Sequence, residues 1–393
     1  MDLLFLSDFV QPDLMGGRQV SAWQLGLQLV HLGHRVTHLA MGLQPKFSEL
    51  EAMDGMQVRR FKVSSLPLKQ AASRSAHIRE DLRRGIVPIV HSHHAYAEPG
   101  VAVAMRSDVP WVCTFHSPWH EEGWVGETRD KPGHWLLPRL RRSVRTAIEK
   151  SSLLRAQRVI VLSECFRDKA IELGVSEQRV RVIPGGTDLA RYRPIGSKVE
   201  ARERLGFDID GPLLLTIRRL IPRMGVDFLV AAMPEVLASE PKAQLVIGGS
   251  GSERKRLEKQ VRRLRIQNNV TFAGFIPEDR LADHYRAADL FVLPTFALEG
   301  FGLVTVDALA CGTPVVGTPV GATPEILAPL DSRLLTSGTR SDELAEGILR
   351  FLKGTWKNEL TPERLHAYVQ HKYTWKTHAD GVMKVYEEVS KKS

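Results

Sequence analysis

Three segments of this chain join residue types and spacing suited to a phosphorylated, hydroxyl-rich ligand. The strongest is Pro294-Thr295-Phe296-Ala297-Leu298-Glu299-Gly300-Phe301-Gly302-Leu303-Val304-Thr305-Val306-Asp307. An apolar strand ends, a Gly-rich turn follows and a helix starts. Backbone N–H groups of Phe301, Gly302 and Leu303 would then face an incoming phosphate or sugar oxygen. Glu299 precedes the turn and Asp307 stands eight positions later. The two carboxylates could reach opposite ends of one extended ligand and accept hydrogen bonds from its hydroxyls. The bland alternative is Thr305 as a helix cap and Asp307 as a solvated acid. The second segment, Arg218-Arg219-Leu220-Ile221-Pro222-Arg223-Met224-Gly225, directly follows an apolar strand. Arginines there can clamp a diphosphate with bidentate hydrogen bonds, or simply solubilise a loop. The third is Met15-Gly16-Gly17-Arg18. Its glycines allow close backbone approach, and the following helix start attracts an anion; a tight turn is the plain alternative.

Histidines and tryptophans gather in the first half: His91, His93, His94, His116, Trp119, His120 and Trp124. His91 to His94 has the composition of a metal tract, but no acidic partner has ligand spacing, so no metal site is expected. His116, at a strand end, is better placed to touch a ligand. Any one of these histidines can equally be a satisfied, partly buried imidazole.

Positioning these groups requires regular elements. Leu3–Leu6, a loop, an amphipathic stretch from Val20 to Leu32 and apolar Val36–Met41 form a β-loop-α-β unit. Further strands are expected at Val87–His91, Trp111–Phe115, Val159–Leu162 and Val180–Ile183, with a helix at Cys165–Leu173. After a linker at Thr187–Pro194 a second alternation begins. Its strands are expected at Leu213–Ile217, Ala243–Ile247, Val270–Phe272, Leu290–Leu293, Pro314–Val316 and Arg333–Leu335. Helices are expected at Gly225–Leu237, Glu253–Arg265 and Thr305–Ala310. Two such alternations predict two α/β domains with doubly wound parallel sheets, each binding ligands beyond the carboxyl ends of its strands. Both sets of loops are then expected to face one shared cleft.

The length of 393 residues fits two domains, and 43% hydrophobic with 25% charged residues is ordinary globular composition. Three scattered cysteines form neither a disulfide framework nor a zinc pattern, which points to a reducing cytoplasm. The N-terminus does not read as a signal peptide, and no apolar run is long enough to span a membrane. The net charge of +9 attracts anions generally, but no nucleic-acid module is present. Two stretches are rich in arginine, 139–158 and 253–265. In the second, Leu257, Val261 and Leu264 fall at helical spacing and predict a buried stripe under a solvated charged face. The first, with Leu140, Val144 and Ile148 on one stripe, reads the same way, although such a helix can also meet an anionic membrane or an acceptor.

Taken in order, the motifs resemble those of the retaining GT-B glycosyltransferases of family 4. They are Gly16-Gly17, Ile183-Pro184-Gly185-Gly186-Thr187-Asp188, Arg219-Leu220, Gly248–Gly251, Glu299-Gly300-Phe301-Gly302-Leu303, Gly312-Thr313-Pro314-Val315-Val316 and Gly321-Ala322-Thr323-Pro324-Glu325. The tail from Tyr373 to Val389 is similar to the family's last helix, which crosses back to the first domain. The resemblance implies a GT-B fold of two Rossmann-like domains with a cleft between them. Residues 1–187, joined by helix 374–393, would form the acceptor side and 188–373 the nucleotide-sugar side. It implies that Glu299 contacts donor-sugar hydroxyls, that Asp307 holds the ribose and that Arg219 meets the diphosphate. His116 would lie near the transferred sugar. Gly16, Gly17, Arg218, Arg223, Gly249, Phe275, Phe301, Gly302 and Leu303 would complete the donor site. Trp119, His120 and Trp124 are the guess for the acceptor surface.

Three positions depart from the family pattern. Met224 replaces a usual lysine, leaving Arg218 or Arg223 to compensate. Arg218 stands where glycine is common. Asp307 is one methylene shorter than glutamate, about 1.5 Å of reach. The activity implied is transfer of a hexose-type sugar from a nucleoside-diphosphate sugar, with UDP favoured. The acceptor would be a glycan, lipid or small-molecule hydroxyl. No metal or cofactor is implied, and the setting would be the cytoplasm or the inner membrane face, with a peripheral membrane contact as a further partner. The competing readings are a sugar-nucleotide epimerase of the same fold and a non-catalytic nucleotide-sugar-binding partner.

Overall fold

The computed structural model describes residues 1–7, 10, 16–42, 50–62, 76, 80, 83–84, 88–93, 109–128, 136–208 and 210–391. Met15, Val87 and His94 lie outside the described residues. The chain divides into two compact units: Met1–Trp124, Pro132–Gly186 and Trp375–Ser393 make the first, and Val125–Lys131 with Thr187–Thr374 the second.

Among the described residues the first unit is built on eight strands: β1 (Asp2–Leu6), β2 (Arg35–Gly42), β3 (Leu50–Met53), β4 (Met56–Lys62), β5 (Ile89–Ser92), β6 (Trp111–Phe115), β7 (Arg158–Val161) and β8 (Val180–Val182). Their order is β3-β4-β2-β1-β5-β6-β7-β8. All neighbours pair in parallel except β3 and β4. Leu3 to Leu6 are all buried, which marks a strand covered on both faces rather than an alternating one. Helices α1 (Gly17–His31), α3 (Leu136–Arg155) and α4 (Glu164–Glu172) belong here, as does α2 (Trp119–Thr128) as far as Trp124. From α1, Trp23, Leu25 and Leu29 enter a core with Phe5, Val36 and Val58. Full burial of Leu25 and Leu29 stabilises by about 1.5–3 kcal/mol each before entropic cost.

The β3–β4 hairpin was not foreseen. Its turn is Asp54-Gly55, both at positive φ (50° and 79°), the geometry of a two-residue hairpin loop. The Asp-Gly pair was the available signal.

Among its described residues the second unit has five parallel strands: β9 (Leu213–Ile217), β10 (Gln244–Gly248), β11 (Val270–Gly274), β12 (Leu290–Leu293) and β13 (Val315–Gly317), ordered β11-β10-β9-β12-β13. Before, between and after them lie α5 (Lys198–Leu205), α6 (Val226–Ser239), α7 (Arg254–Arg263), α8 (Glu278–Ala287), α9 (Leu303–Ala310), α10 (Thr323–Leu327), α11 (Ser341–Lys353) and α12 (Pro362–Lys372). The chain runs outward from β9 to β11, then returns to β12 on β9's other side. The carboxyl ends of β9 and β12 therefore flank the switch point, where such sheets bind ligands. The strand expected at Arg333–Leu335 is instead a 3-10 turn, Ser332–Leu334, with a single bridge from Leu335 to Gly317. Asp331 caps that turn by accepting from the Arg333 N–H, a local bond that competes with a ladder.

The last helix, α13 (Trp375–Ser390), packs in the first unit, burying Val382, Val385, Tyr386 and Val389. No helix among the described residues is long and apolar enough to cross a membrane.

Candidate functional site

The switch point of the second unit is assembled from two loops, one after β9 and one after β12. They are stitched together: the N–H groups of Phe296 and Ala297 both donate to the Arg223 carbonyl, at 3.0 and 3.1 Å. Gly225 sits where a Cβ would lie 1.9 Å from the Pro294 carbonyl oxygen, and its φ is +68°. Only glycine allows the loops to approach this closely.

Within this frame Arg218 is buried (8% exposed) and reaches Glu299 Oε2 with Nη2 at 2.5 Å and Thr295 Oγ1 with Nη1 at 2.6 Å. The Thr295 hydroxyl itself donates to the same carboxylate oxygen at 2.8 Å. Arg223 donates from Nη1 to the Leu298 carbonyl at 2.7 Å. Leu298 has φ +64°, a left-handed conformation unfavourable for a leucine, next to the acid it presents. Burial alone would raise the Glu299 carboxyl. The Arg218 charge and hydrogen bond, then Arg223, outweigh it and hold the group below its ordinary value. Arg218 thus has Glu299 as its partner. Met224 is buried and Arg219 exposed.

Beyond Glu299 the chain enters α9, which starts at Leu303 rather than Thr305. Its cap is Gly302, at φ +89° with no side-chain hydrogen bond, and the Thr305 hydroxyl is buried without a partner. Thr305 is therefore no cap. The first N–H groups of such a helix have no intrahelical acceptor. Phe301 is buried, with its ring 5.7 Å from that of Tyr373. On α9, Asp307 is half-buried and accepts a 2.5 Å hydrogen bond from Thr187 Oγ1. Burial pushes its carboxyl up to about 7 despite that bond. The Gly249 N–H donates to the Gly274 carbonyl at 2.6 Å, and Phe275, just past β11, is 78% exposed.

The first unit has its own strand-end cluster. Gly16 caps α1, and its N–H donates to Gln19 Oε1 at 3.1 Å. Ser7, Arg18, Gln19 and His93 line one small pocket beside it. His93 Nδ1 lies 3.4 Å from His116 Nε2, while His93 Nε2 is buried and unpartnered. His91 is satisfied on both sides, by Tyr386 Oη at 2.6 Å and Thr114 Oγ1 at 2.7 Å. Burial depresses His38 and His91 to about 3 and His378 to about 4; His93 also falls well below its ordinary value. Among the described residues, no group of three or more His, Cys, Asp or Glu could hold a metal ion.

Residues 197–372 match the family described as Glycosyl transferases group 1, and residues 15–191 match Glycosyltransferase Family 4. The D-inositol 3-phosphate glycosyltransferase of Acidothermus cellulolyticus is 31% identical over 340 residues, covering 82% of this chain and 72% of that protein. The chain belongs to glycosyltransferase family 4. Among solved structures, the sucrose-phosphate synthase of Thermosynechococcus elongatus superposes with a TM-score of 0.84 at 26% identity, over 100% of both chains. Anabaena HepE in complex with UDP shares the fold, with a TM-score of 0.77 at 22% identity over 99% of this chain and 100% of that one. The fold is GT-B, with two Rossmann-like domains, and the protein is a glycosyltransferase.

In this glycosyltransferase Arg218, Arg223, Glu299 and Gly302 come together at one switch point, with Arg219 in the same loop. Gly16 and Gly17 start α1, while His116 stands at the end of β6 beside His93. Thr295 and Thr187 escaped sequence reasoning as partners of the two acids. Each lies within a quoted motif, but its bond spans a tertiary contact that spacing does not show. Of the three residues guessed to face an acceptor, His120 donates from Nδ1 to Glu149 Oε2 (2.6 Å), and the Trp119 N–H donates to Glu149 Oε1 at 2.8 Å. The Trp119 and Trp124 rings lie under Arg145 and Arg142. These contacts tie α2 to α3.

Proposed function

We propose that this family 4 enzyme transfers a hexose-type sugar, with retention, from a nucleoside-diphosphate sugar, UDP-sugar favoured, to a hydroxyl of a glycan, lipid or small molecule. The observation that carries the reading is the Glu299 loop: an acid fixed in place by Arg218 and Thr295, followed three residues on by a helix start that has no side-chain cap. An acid held this firmly suits sugar hydroxyls, and α9's amino end suits phosphate oxygen.

Breaking the bond between the sugar and the β-phosphate leaves negative charge on that phosphate. Fixed positive groups aimed at it lower the barrier. We assign that task to Arg219, with Arg223 and the N–H groups of Phe301, Gly302 and Leu303 beside it, and with Gly16 and Gly17 of the first unit. Arg218 is assigned to the sugar end through Glu299, so the charge lost with lysine at position 224 is made up chiefly by Arg223. Asp307 takes the ribose, Phe275 the base face, and Gly249 allows close backbone approach. His116 is assigned to the transferred sugar, and Trp119 and Trp124 to the acceptor, with His120 holding α2. The phosphate leaving on the acceptor's face takes up the hydroxyl proton, so neither a metal nor a cofactor is invoked. The reading places the enzyme in the cytoplasm, and at the inner membrane face when the acceptor is a lipid.

The relative named for D-inositol 3-phosphate and the fold neighbour bound to UDP support a phosphorylated polyol as a trial acceptor and UDP-sugars as trial donors. The test measures UDP release and product formation from UDP-glucose with inositol 3-phosphate and a panel of glycan and lipid acceptors. Arg219→Ala is expected to lower kcat/KM at least about a hundredfold with an unchanged thermal midpoint. Parent-like turnover of that variant would refute the diphosphate role.

A further inference from the structure

His93 directly follows β5 and His116 directly follows β6, its parallel neighbour in the sheet. Both side chains are buried, and His93 Nδ1 lies 3.4 Å from His116 Nε2. The His93 ring has little room to turn. The Phe5 ring lies 4.9 Å away and the His91 ring 4.2 Å away, centroid to centroid. His91 is itself held by Tyr386 and Thr114, and the His93 backbone N–H donates to the Leu6 carbonyl at 3.0 Å. A ring clamped in this way keeps each nitrogen in one place, Nδ1 beside His116 and Nε2 buried without a partner.

Burial, then the neighbouring His91 and His116 rings, hold His93 well below its ordinary pKa, so the ring is neutral and carries one N–H. The surroundings decide which nitrogen carries it. His93 lines a small pocket with Ser7, Arg18 and Gln19. A guanidinium has only donors. Gln19 commits Oε1 to the Gly16 N–H, which leaves its amide N–H groups to offer. Walls of donors favour a lone pair on Nε2, and a buried N–H without an acceptor is the rarer and costlier orphan. The proton therefore sits on Nδ1, against His116 Nε2. At 3.4 Å this is a long and weak hydrogen bond. It suffices, because the partner on one ring nitrogen decides where an imidazole keeps its proton.

We propose that His93 is a positioning residue, whose Nδ1–H donates to His116 Nε2 and holds His116 in the tautomer protonated on Nδ1. A ring nitrogen that accepts a hydrogen bond bears no proton, so His116 keeps one donor, at a fixed atom, for a sugar oxygen. His93 itself makes and breaks no bond. The proposal rests on the assignment of His116 to the transferred sugar.

Long-range proton–nitrogen correlation spectra of the isotope-labelled full chain read the tautomer, with the His116 signals identified by their loss in His116→Ala. The parent should show His116 protonated on Nδ1. Two variants then separate the two nitrogens of His93 in transfer assays with UDP-glucose as donor. An asparagine amide nitrogen stands about where Nδ1 stands, and a glutamine amide nitrogen about where Nε2 stands. His93→Asn is expected to keep kcat within about threefold of the parent, and His93→Gln to lose on the order of a hundredfold, with donor KM little changed in both. The spectra need no substrate, so they decide the pairing even where UDP-glucose is not turned over or a variant misfolds. The proposal is overturned if His116 in the parent is protonated on Nε2, or if His93→Gln turns over as the parent does. It is also overturned if His93→Asn loses as much as His93→Gln, since the ring would then serve packing alone. Parent-like kcat in His116→Ala, with the expected tautomer in the parent, overturns the His116 assignment instead and leaves the pairing standing.

Discussion

Arg218 and Arg223 divide the work around Glu299. One neutralises the carboxylate, and the other holds the carbonyl of the strained residue before it. Breaking such a buried pair from one side leaves an uncompensated charge and costs about 3–5 kcal/mol, whereas replacing both partners removes much of the penalty. Arg218→Met is therefore expected to lower the thermal midpoint sharply. Adding Glu299→Gln should restore most of it, although the double variant stays inactive. Additive losses in this double-mutant cycle would show that the two groups are not coupled. At this scale the sequence was only partly legible. Glu299 and Gly302 announce themselves in a Gly-rich turn that follows a strand, and Arg219 by standing just past a strand end. That Arg218 would settle on Glu299 is decided by the packing of β9 beside β12.

At the level of elements, α3 and α7 make an instructive pair. Both are arginine-rich with apolar residues at helical spacing. In α7, Leu257 and Val261 are buried and the charges are the solvated face, as spacing implied. In α3 the same pattern points outward at Leu140 and Val144. Periodicity identifies an apolar face but not what lies against it. The strands β6, β9 and β12 were legible to the residue because apolar residues dominate them and they are buried on both faces. Arg333–Leu335 was not, since a capped 3-10 turn and a short strand look alike over three residues. The loop pairing at the switch point is a property of elements too. Gly225→Ala would press a methyl group onto the Pro294 carbonyl at positive φ. The expected cost is about 2 kcal/mol or more, read as a lower thermal midpoint with weakened donor binding. An unchanged midpoint would mean that the two loops are not held this close.

For the molecule as a whole, pH should separate the two units. His38 and His91, held near 3, and His378, held near 4, all sit below their ordinary 6.5 and all belong to the first unit. The unfolded chain binds more protons than the native one between those values. Stability from these groups is therefore complete above pH 6.5 and falls as pH drops through 6.5 toward 4 and 3. At pH 5 each contributes a loss on the order of 2 kcal/mol. Amides of β1, β5 and α13 should lose exchange protection on acidification before those of β9 and β12. Earlier loss in the second unit would contradict that reading. The two-unit α/β plan was legible from the alternation of apolar runs. The histidine network was not, because it depends on β1, β5, β6 and α13 meeting.

The account's central claim is that the loops after β9 and β12 hold a nucleoside diphosphate. Hydrogen–deuterium exchange of the intact chain, with and without UDP, GDP and ADP, measures it directly. At least one nucleotide should slow exchange across residues 218–225 and 299–305 together. If all three leave both segments unchanged at concentrations that saturate other family members, the claim is contradicted.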